Sequence, residues 1–128
     1  MTPEEYNCLS DKIIKCCIEV HRNLGPGLLE SVYETCLSKE LELSNINHRR
    51  QVYLPVVYKN EQLDANFRPD FLVEDAIILE LKAIEFVLPV HEVQLVTYLK
   101  LADKRLGLLI NFYEDWLIKG IKRKVNNF

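Results

Sequence analysis

The sequence predicts an α/β (α+β) fold in the order α-α-β-β-β-α-β, with a mixed central sheet flanked by helices and a possible strand at the C-terminus. Up to residue 43, apolar residues recur every three or four positions, which is typical of helices. From residue 51 they alternate with polar residues, as in strands, and Leu106–Asn111 is a short apolar run after a third helical segment. A chain of 128 residues is close to the commonest domain size, so we expect one domain over residues 1–128.

Two helices are predicted at the N-terminus. Thr2 is a suitable cap, Pro3 suits a first turn, and Glu5 completes a capping box. Residues 23–27 contain a proline and two glycines, which must break this helix. A second helix is expected over residues 28–43.

The following segments predict a meander of three antiparallel strands. Residues 52–58 alternate, although Pro55 lacks a ladder donor and requires an edge or a bulge there. Residues 59–62 form the expected turn, and the chain then leads into strands at 67–73 and 77–83.

Later segments predict one more helix and two strands. The helix covers residues 91–102, and the Leu106–Asn111 strand should return parallel to the strand at 77–83. A last strand within residues 116–125 would carry solvated basic side chains, namely Lys119, Lys122, Arg123 and Lys124.

The strand at residues 77–83 carries an unusual pair of charges. Glu80 and Lys82 are two residues apart and share one face, while Ile77, Leu79 and Leu81 form the opposite, core-directed face. Because residues 77–83 are so apolar, we expect an inner strand of the sheet. A buried charge without a partner would destabilise the protein there. The charges therefore call for a partner or a metal ion.

Asp70 is the expected companion of Glu80. A three-residue corner at residues 74–76 pairs Val73 with Ile77 and sets Asp70 opposite Glu80. A two-residue turn would set it against Leu79, on the wrong face. Two such carboxylates repel one another unless a divalent cation binds, and oxygen ligands favour Mg²⁺ or Mn²⁺ over zinc.

These residues resemble a known signature. Pro69-Asp70 followed by Glu80-Leu81-Lys82 is similar to the motif of the PD-(D/E)XK nuclease superfamily. Residues 27–33 resemble the G-x-x-E-x-x-Y motif of a small family within it, and residues 94–98 resemble the Q-L-x-x-Y helix of RecB-type nucleases. The resemblance spans roughly residues 11–112 and implies a restriction-endonuclease-like core.

The resemblance also implies roles for individual residues. Asp70 and Glu80 are expected to bind the metal, with the Leu81 carbonyl completing the coordination, and Lys82 to assist the hydrolytic water. Glu30 is expected as an outer or second-metal acid, although a carboxylate in a first helical turn is favoured by the helix dipole alone. Residues expected to contact nucleic acid or to support the site are Tyr33, Arg68, Gln94 and Tyr98.

The expected function is that of a Mg²⁺-dependent (or Mn²⁺-dependent) nuclease that hydrolyses phosphodiester bonds, in DNA rather than RNA. The rival hypothesis is a non-catalytic nucleic-acid- or protein-binding module on the same scaffold. The net charge of −3 argues against avid unspecific binding to nucleic acid, but residues 91–128 hold seven Lys or Arg against four Asp or Glu.

Localisation and assembly are predicted only broadly. The absence of a long apolar run and of a basic leader favours the cytoplasm, with no membrane contact. Cys8, Cys16, Cys17 and Cys36 have no metal-ligand spacing and suit a reducing compartment. The sequence is compatible with a homodimer formed through the first helix or a sheet edge, and equally with a monomer.

Overall fold

The protein has three layers, with a five-stranded sheet between two helices on one face and one helix on the other. A computed structural model describes residues 1–128. The elements in chain order are α1 (Pro3–Leu24), α2 (Glu30–Leu43), β1 (His48–Arg50), β2 (Leu54–Tyr58), β3 (Glu61–Phe67), β4 (Phe71–Val73), β5 (Ile77–Lys82), α3 (Pro89–Ala102), β6 (Leu106–Asn111), a 3₁₀ turn (Leu117–Gly120) and β7 (Ile121–Val125).

Local sequence explains where α1 begins and ends. The Thr2 hydroxyl oxygen accepts a hydrogen bond from the Glu5 backbone N–H (3.1 Å), as expected of a helix cap. The helix ends before Gly25, whose φ of 69° is readily adopted only by glycine. Helix α2 then starts at Glu30, two residues later than predicted.

The central sheet has the strand order β1-β4-β5-β6-β7. Strand β5 is in its middle, antiparallel to β4 and parallel to β6, which confirms the predicted inner strand and the predicted parallel return. One face of β5 packs Ile77, Leu79 and Leu81 into the core with α1 and α2. Ile78 belongs to a smaller apolar cluster under α3.

The predicted three-stranded meander is wrong. Strands β2 and β3 pair only with each other, as a separate hairpin with a bulge between Pro55 and Val57. The partner of β4 is instead β1, a short strand that the sequence did not predict. The strand carrying Asp70 is also shorter than expected, because the chain leaves the extended ladder at Pro69 and pairing begins at Phe71.

The C-terminal segment also differs from its prediction. Residues Leu117–Gly120 form a 3₁₀ turn, and only Ile121–Val125 is a strand, which pairs antiparallel with β6. Three of the four basic side chains there are exposed, whereas Lys124 is half-buried in an ion pair with Glu92 of α3 (2.6 Å). No helix in the protein combines the length and apolarity that crossing a membrane requires.

Candidate metal and phosphodiester site

The corner between β4 and β5 sets Asp70 beside Glu80. Val73 pairs with Ile77 and Phe71 with Leu79, so the next opposed pair is Asp70 and Glu80. The three-residue connection that this register requires is present. Its first two residues have left-handed backbones, with φ of 51° and 53°. The geometric condition set by the sequence is therefore confirmed, and the alternative with Leu79 is excluded.

Backbone groups fix both carboxylates in this arrangement. The Asp70 backbone N–H donates to Glu80 Oε1 (3.1 Å). The Leu81 backbone N–H donates to Asp70 Oδ2 (2.8 Å). Each acid is thus held by the other acid's strand, and each keeps oxygen lone pairs for a further partner.

Burial makes this pair electrostatically unusual. The Glu80 side chain is only 8% exposed, and burial followed by repulsion from Asp70 raises its pKa to about 8. The pKa of Asp70 is raised as well, mainly by burial, against the opposing hydrogen bonds from Leu81 and Gln51. Lys82 acts in the other direction on both groups, but its effect is smaller than that of burial. The attraction of Lys82 therefore does not offset the cost of burying the two acids.

These residues fit a hard divalent cation. Both donors are carboxylates, the Leu81 backbone is adjacent, and a cation would supply the charge that burial leaves uncompensated. No group of three or more His, Cys, Asp and Glu side chains is spaced for metal binding in the structure. The structure thus offers two acids at this place, Asp70 and Glu80, with no third acid grouped with them.

Helix α2 presents Glu30 to the same region. Glu30 is exposed and lines a cavity of about 360 Å³ together with Arg68, Asp70 and Leu81. It also contributes to the raised pKa of Glu80, as the smallest of the causes. The structure brings Glu30 near the acid pair, where the G-x-x-E-x-x-Y resemblance places an outer acid.

Tyr33 occupies a supporting position. It is fully buried and stacks on Phe112, with ring centroids 4.4 Å apart. Its hydroxyl donates to the Gly25 carbonyl (2.6 Å) and accepts from the Leu28 backbone N–H (3.2 Å). Of the two roles that the sequence left open, contact with nucleic acid disagrees with this burial, whereas support of the turn before Glu30 agrees with it.

Helix α3 brings Gln94 and Tyr98 toward the acids. Gln94 Nε2 donates to the Tyr98 hydroxyl (3.1 Å), so the two motif residues share a face as predicted. The pKa of Tyr98 is raised by burial and by the charges of Glu80 and Asp70, which indicates that the phenol lies within their field. Its ring packs against Phe67, with centroids 4.9 Å apart.

Arg68 also lines the cavity. Its guanidinium stacks over Tyr53 at 5.2 Å from the ring centroid and donates to the Tyr53 hydroxyl (3.0 Å). Both residues are exposed, so the guanidinium keeps donors that can reach a phosphate.

Sequence reasoning missed two residues near the site, Gln51 and Glu34. Gln51 and Glu34 line the cavity, and the Gln51 amide contacts both Glu34 and Asp70. Lys122 lies in register with Leu109, which pairs with Glu80, so it projects from the same face of the sheet. The sequence predicted Lys122 as one of the basic side chains of the last strand. No periodicity indicated Gln51 or Glu34.

A larger groove, of about 580 Å³, lies elsewhere on the surface. It is lined by Ser38, Glu42 and His48 among others, and Ser38 Oγ and His48 Nε2 are hydrogen-bonded at 2.7 Å. The groove contains neither the acid pair nor Lys82, so its size does not make it the stronger candidate.

Comparison with known proteins agrees with this geometry. A family model described as PD-(D/E)XK nuclease superfamily matches residues 7–124, from α1 into the last strand. Neither the curated proteins nor the solved structures gave a significant match. The matched region contains the mixed sheet and the acids at its centre, which confirms the predicted restriction-endonuclease-like fold class. The chain belongs to the PD-(D/E)XK nuclease superfamily.

Proposed function

We propose that this protein is a metal-dependent nuclease that hydrolyses phosphodiester bonds, with DNA preferred over RNA as substrate and Mg²⁺ or Mn²⁺ as cofactor. The observation that carries the proposal is the opposed Asp70–Glu80 pair, in which Glu80 is buried and Asp70 half-buried, with Lys82 on the same strand and face as Glu80. Within the superfamily, residues 27–33 favour the G-x-x-E-x-x-Y group, and we treat residues 1–128 as one catalytic domain.

Asp70 and Glu80 would hold the metal, with the Leu81 carbonyl as a backbone ligand. When bound, the cation polarises a phosphoryl oxygen and lowers the pKa of a coordinated water. Glu30, which is exposed and lines the cavity, is proposed as an outer acid or as a ligand of a second metal ion.

Lys82 would act on the water and on the developing charge. Its side chain is half-buried at the end of β5, where it already lowers the pKa of both acids. An ammonium group there can orient a nucleophilic water and stabilise negative charge on phosphate in the transition state. Its electrostatic effect on both acids supports this role.

Basic and polar groups around the acids would hold the substrate backbone. Arg68 lines the cavity, and Lys122 lies two strands away from Glu80, in the same row across the sheet. Gln94 and Tyr98 lie along α3 on the remaining side and would contact a phosphate or brace the strand. Phosphate contacts of this kind position the nucleic acid without reading its sequence.

The test is turnover of labelled single-stranded, duplex and branched DNA and RNA with Mg²⁺ or Mn²⁺. We expect hydrolysis by the wild type and its loss in Asp70→Ala and Lys82→Ala. Matched controls are Asp64→Ala and Lys59→Ala, which remove exposed charges of the same types from the β2–β3 hairpin. Equal activity in the wild type and in both site variants would rule out the assignment.

Calorimetry separates the enzyme from the non-catalytic module. Mn²⁺ binding that disappears in Asp70→Asn supports the nuclease. Nucleic-acid affinity that needs no metal, in a protein without turnover, would support the binding module instead.

A further inference from the structure

Gln51 bridges two acids at the edge of the site. It follows β1, and its backbone N–H donates to the Asp70 carbonyl oxygen (3.0 Å). Its side-chain Nε2 donates to Asp70 Oδ1 (3.1 Å) and also to Glu34 Oε1. Because ionised carboxylates only accept hydrogen bonds, the amide nitrogen and not the amide oxygen must face both acids. The orientation of this side chain is thus fixed by its partners.

Glu34 is itself anchored on its second oxygen. Arg50 donates to Glu34 Oε2 through Nε (3.2 Å) and Nη2 (2.8 Å), and Nη2 also donates to the Thr35 hydroxyl (3.2 Å). The Glu34 side chain is only 14% exposed. A carboxylate engaged on both oxygens in this way serves as a fixed acceptor for the Gln51 amide.

The backbone of Gln51 is in an unfavourable conformation for its residue type. Its φ is 51°, in the left-handed region, which is unfavourable for residues other than glycine and asparagine. Asparagine or glycine would suit the turn better. The unfavourable backbone conformation occurs at a position where a glutamine side chain is long enough to contact both Asp70 and Glu34.

We propose that Gln51 is a positioning residue, whose amide, anchored on Glu34, holds the Asp70 carboxylate in the orientation that metal binding requires. This inference rests on the proposed function, because it assumes that Asp70 is a metal ligand. Groups that hydrogen-bond to a ligating carboxylate commonly change metal affinity by about 10-fold to 100-fold when removed.

The test compares Gln51→Asn and Gln51→Gly with the wild type in Mn²⁺ calorimetry, thermal unfolding and nuclease kinetics. Asparagine keeps the amide and favours the left-handed turn, but it is one carbon shorter; glycine keeps only the turn. We expect Mn²⁺ affinity to fall about 10-fold or more and kcat to fall with it. The Tm should be unchanged or higher. Gln62→Asn, on the exposed β3 strand, is the matched control.

The possible outcomes separate this inference from the proposed function. Wild-type affinity in both Gln51 variants, beside lost binding in Asp70→Asn, would overturn the role of Gln51 alone. A loss of affinity accompanied by a large fall in Tm would show a structural role and would also overturn it. If the wild type binds no Mn²⁺, or if Asp70→Asn binds it equally well, both proposals fail together.

Discussion

The raised pKa of Glu80 predicts how stability depends on pH, and Glu80→Gln isolates the effect. In the folded protein the Glu80 pKa is about 8, against an ordinary value of 4.5. Between these values the folded state keeps a proton on Glu80 that the unfolded chain has released. Rising pH therefore favours the unfolded state in this window, and the wild type loses stability from about pH 4.5 to about pH 8. Glutamine has a similar shape and does not titrate.

The expected magnitude follows from proton linkage. One extra proton bound by the folded state gives a slope of about 1.4 kcal/mol per pH unit in the free energy of unfolding. From about pH 5.5 to about pH 7.5, the stability of Glu80→Gln should thus rise relative to the wild type by about 2 to 3 kcal/mol. Asp70, whose pKa is also raised, is present in both proteins, so most of its contribution cancels in the difference.

Urea denaturation of both proteins across this pH range, in buffer with EDTA, measures the difference. Parallel stability curves for the wild type and Glu80→Gln would refute the reasoning, since they would mean that Glu80 titrates alike in both states. Added Mn²⁺ should act in the opposite sense. The proposed cation would bind the ionised pair, so its stabilisation of the wild type should grow with pH and be weaker in Glu80→Gln.

Three further predictions concern the surroundings of the acids. Asn111→Ala should lower the free energy of unfolding by about 2 to 4 kcal/mol, measured by urea denaturation. In a partly buried place, the Asn111 side-chain oxygen accepts a hydrogen bond from the Ile84 backbone N–H (3.1 Å), and its nitrogen donates one to the Ile84 carbonyl (2.8 Å). Gly120→Ala should cost about 1 to 3 kcal/mol by the same measurement, since a Cβ there overlaps the Asn111 carbonyl oxygen; an unchanged midpoint would contradict it. Lys82→Met should keep its Tm while nuclease turnover falls about 10²-fold or more, because the apolar stem remains and the charge is lost.

The acid pair was predictable because its geometry depends on short-range rules. Alternation along β5 decided which residues share a face, and the length of the 74–76 corner decided the register with β4. Both rules involve residues close together in the chain. The same holds for the Thr2 cap and for β6, whose apolar run leaves little choice of environment.

The neighbours of the acid pair were not predictable in this way. Strand β1 reads His48-Arg49-Arg50, which has no apolar alternation, because it is a short edge strand with polar side chains. Its pairing with β4 depends on contacts more than twenty residues apart. Gln51 and Glu34 meet Asp70 only through this pairing, so missing β1 also meant missing them.

The packing of the sheet explains how so small a protein stays folded although the acid pair lowers its stability. Asp70 and Glu80 lie across the two strands at the centre of the sheet, while both faces of β5 below them are packed with aliphatic side chains. Apolar packing on both faces offsets the destabilisation that the pair causes. The cost of the pair falls when Glu80 keeps a proton, as its raised pKa indicates, or when a cation binds the ionised pair. Metal affinity measured across pH distinguishes these two cases and is therefore the measurement that tests the proposed function.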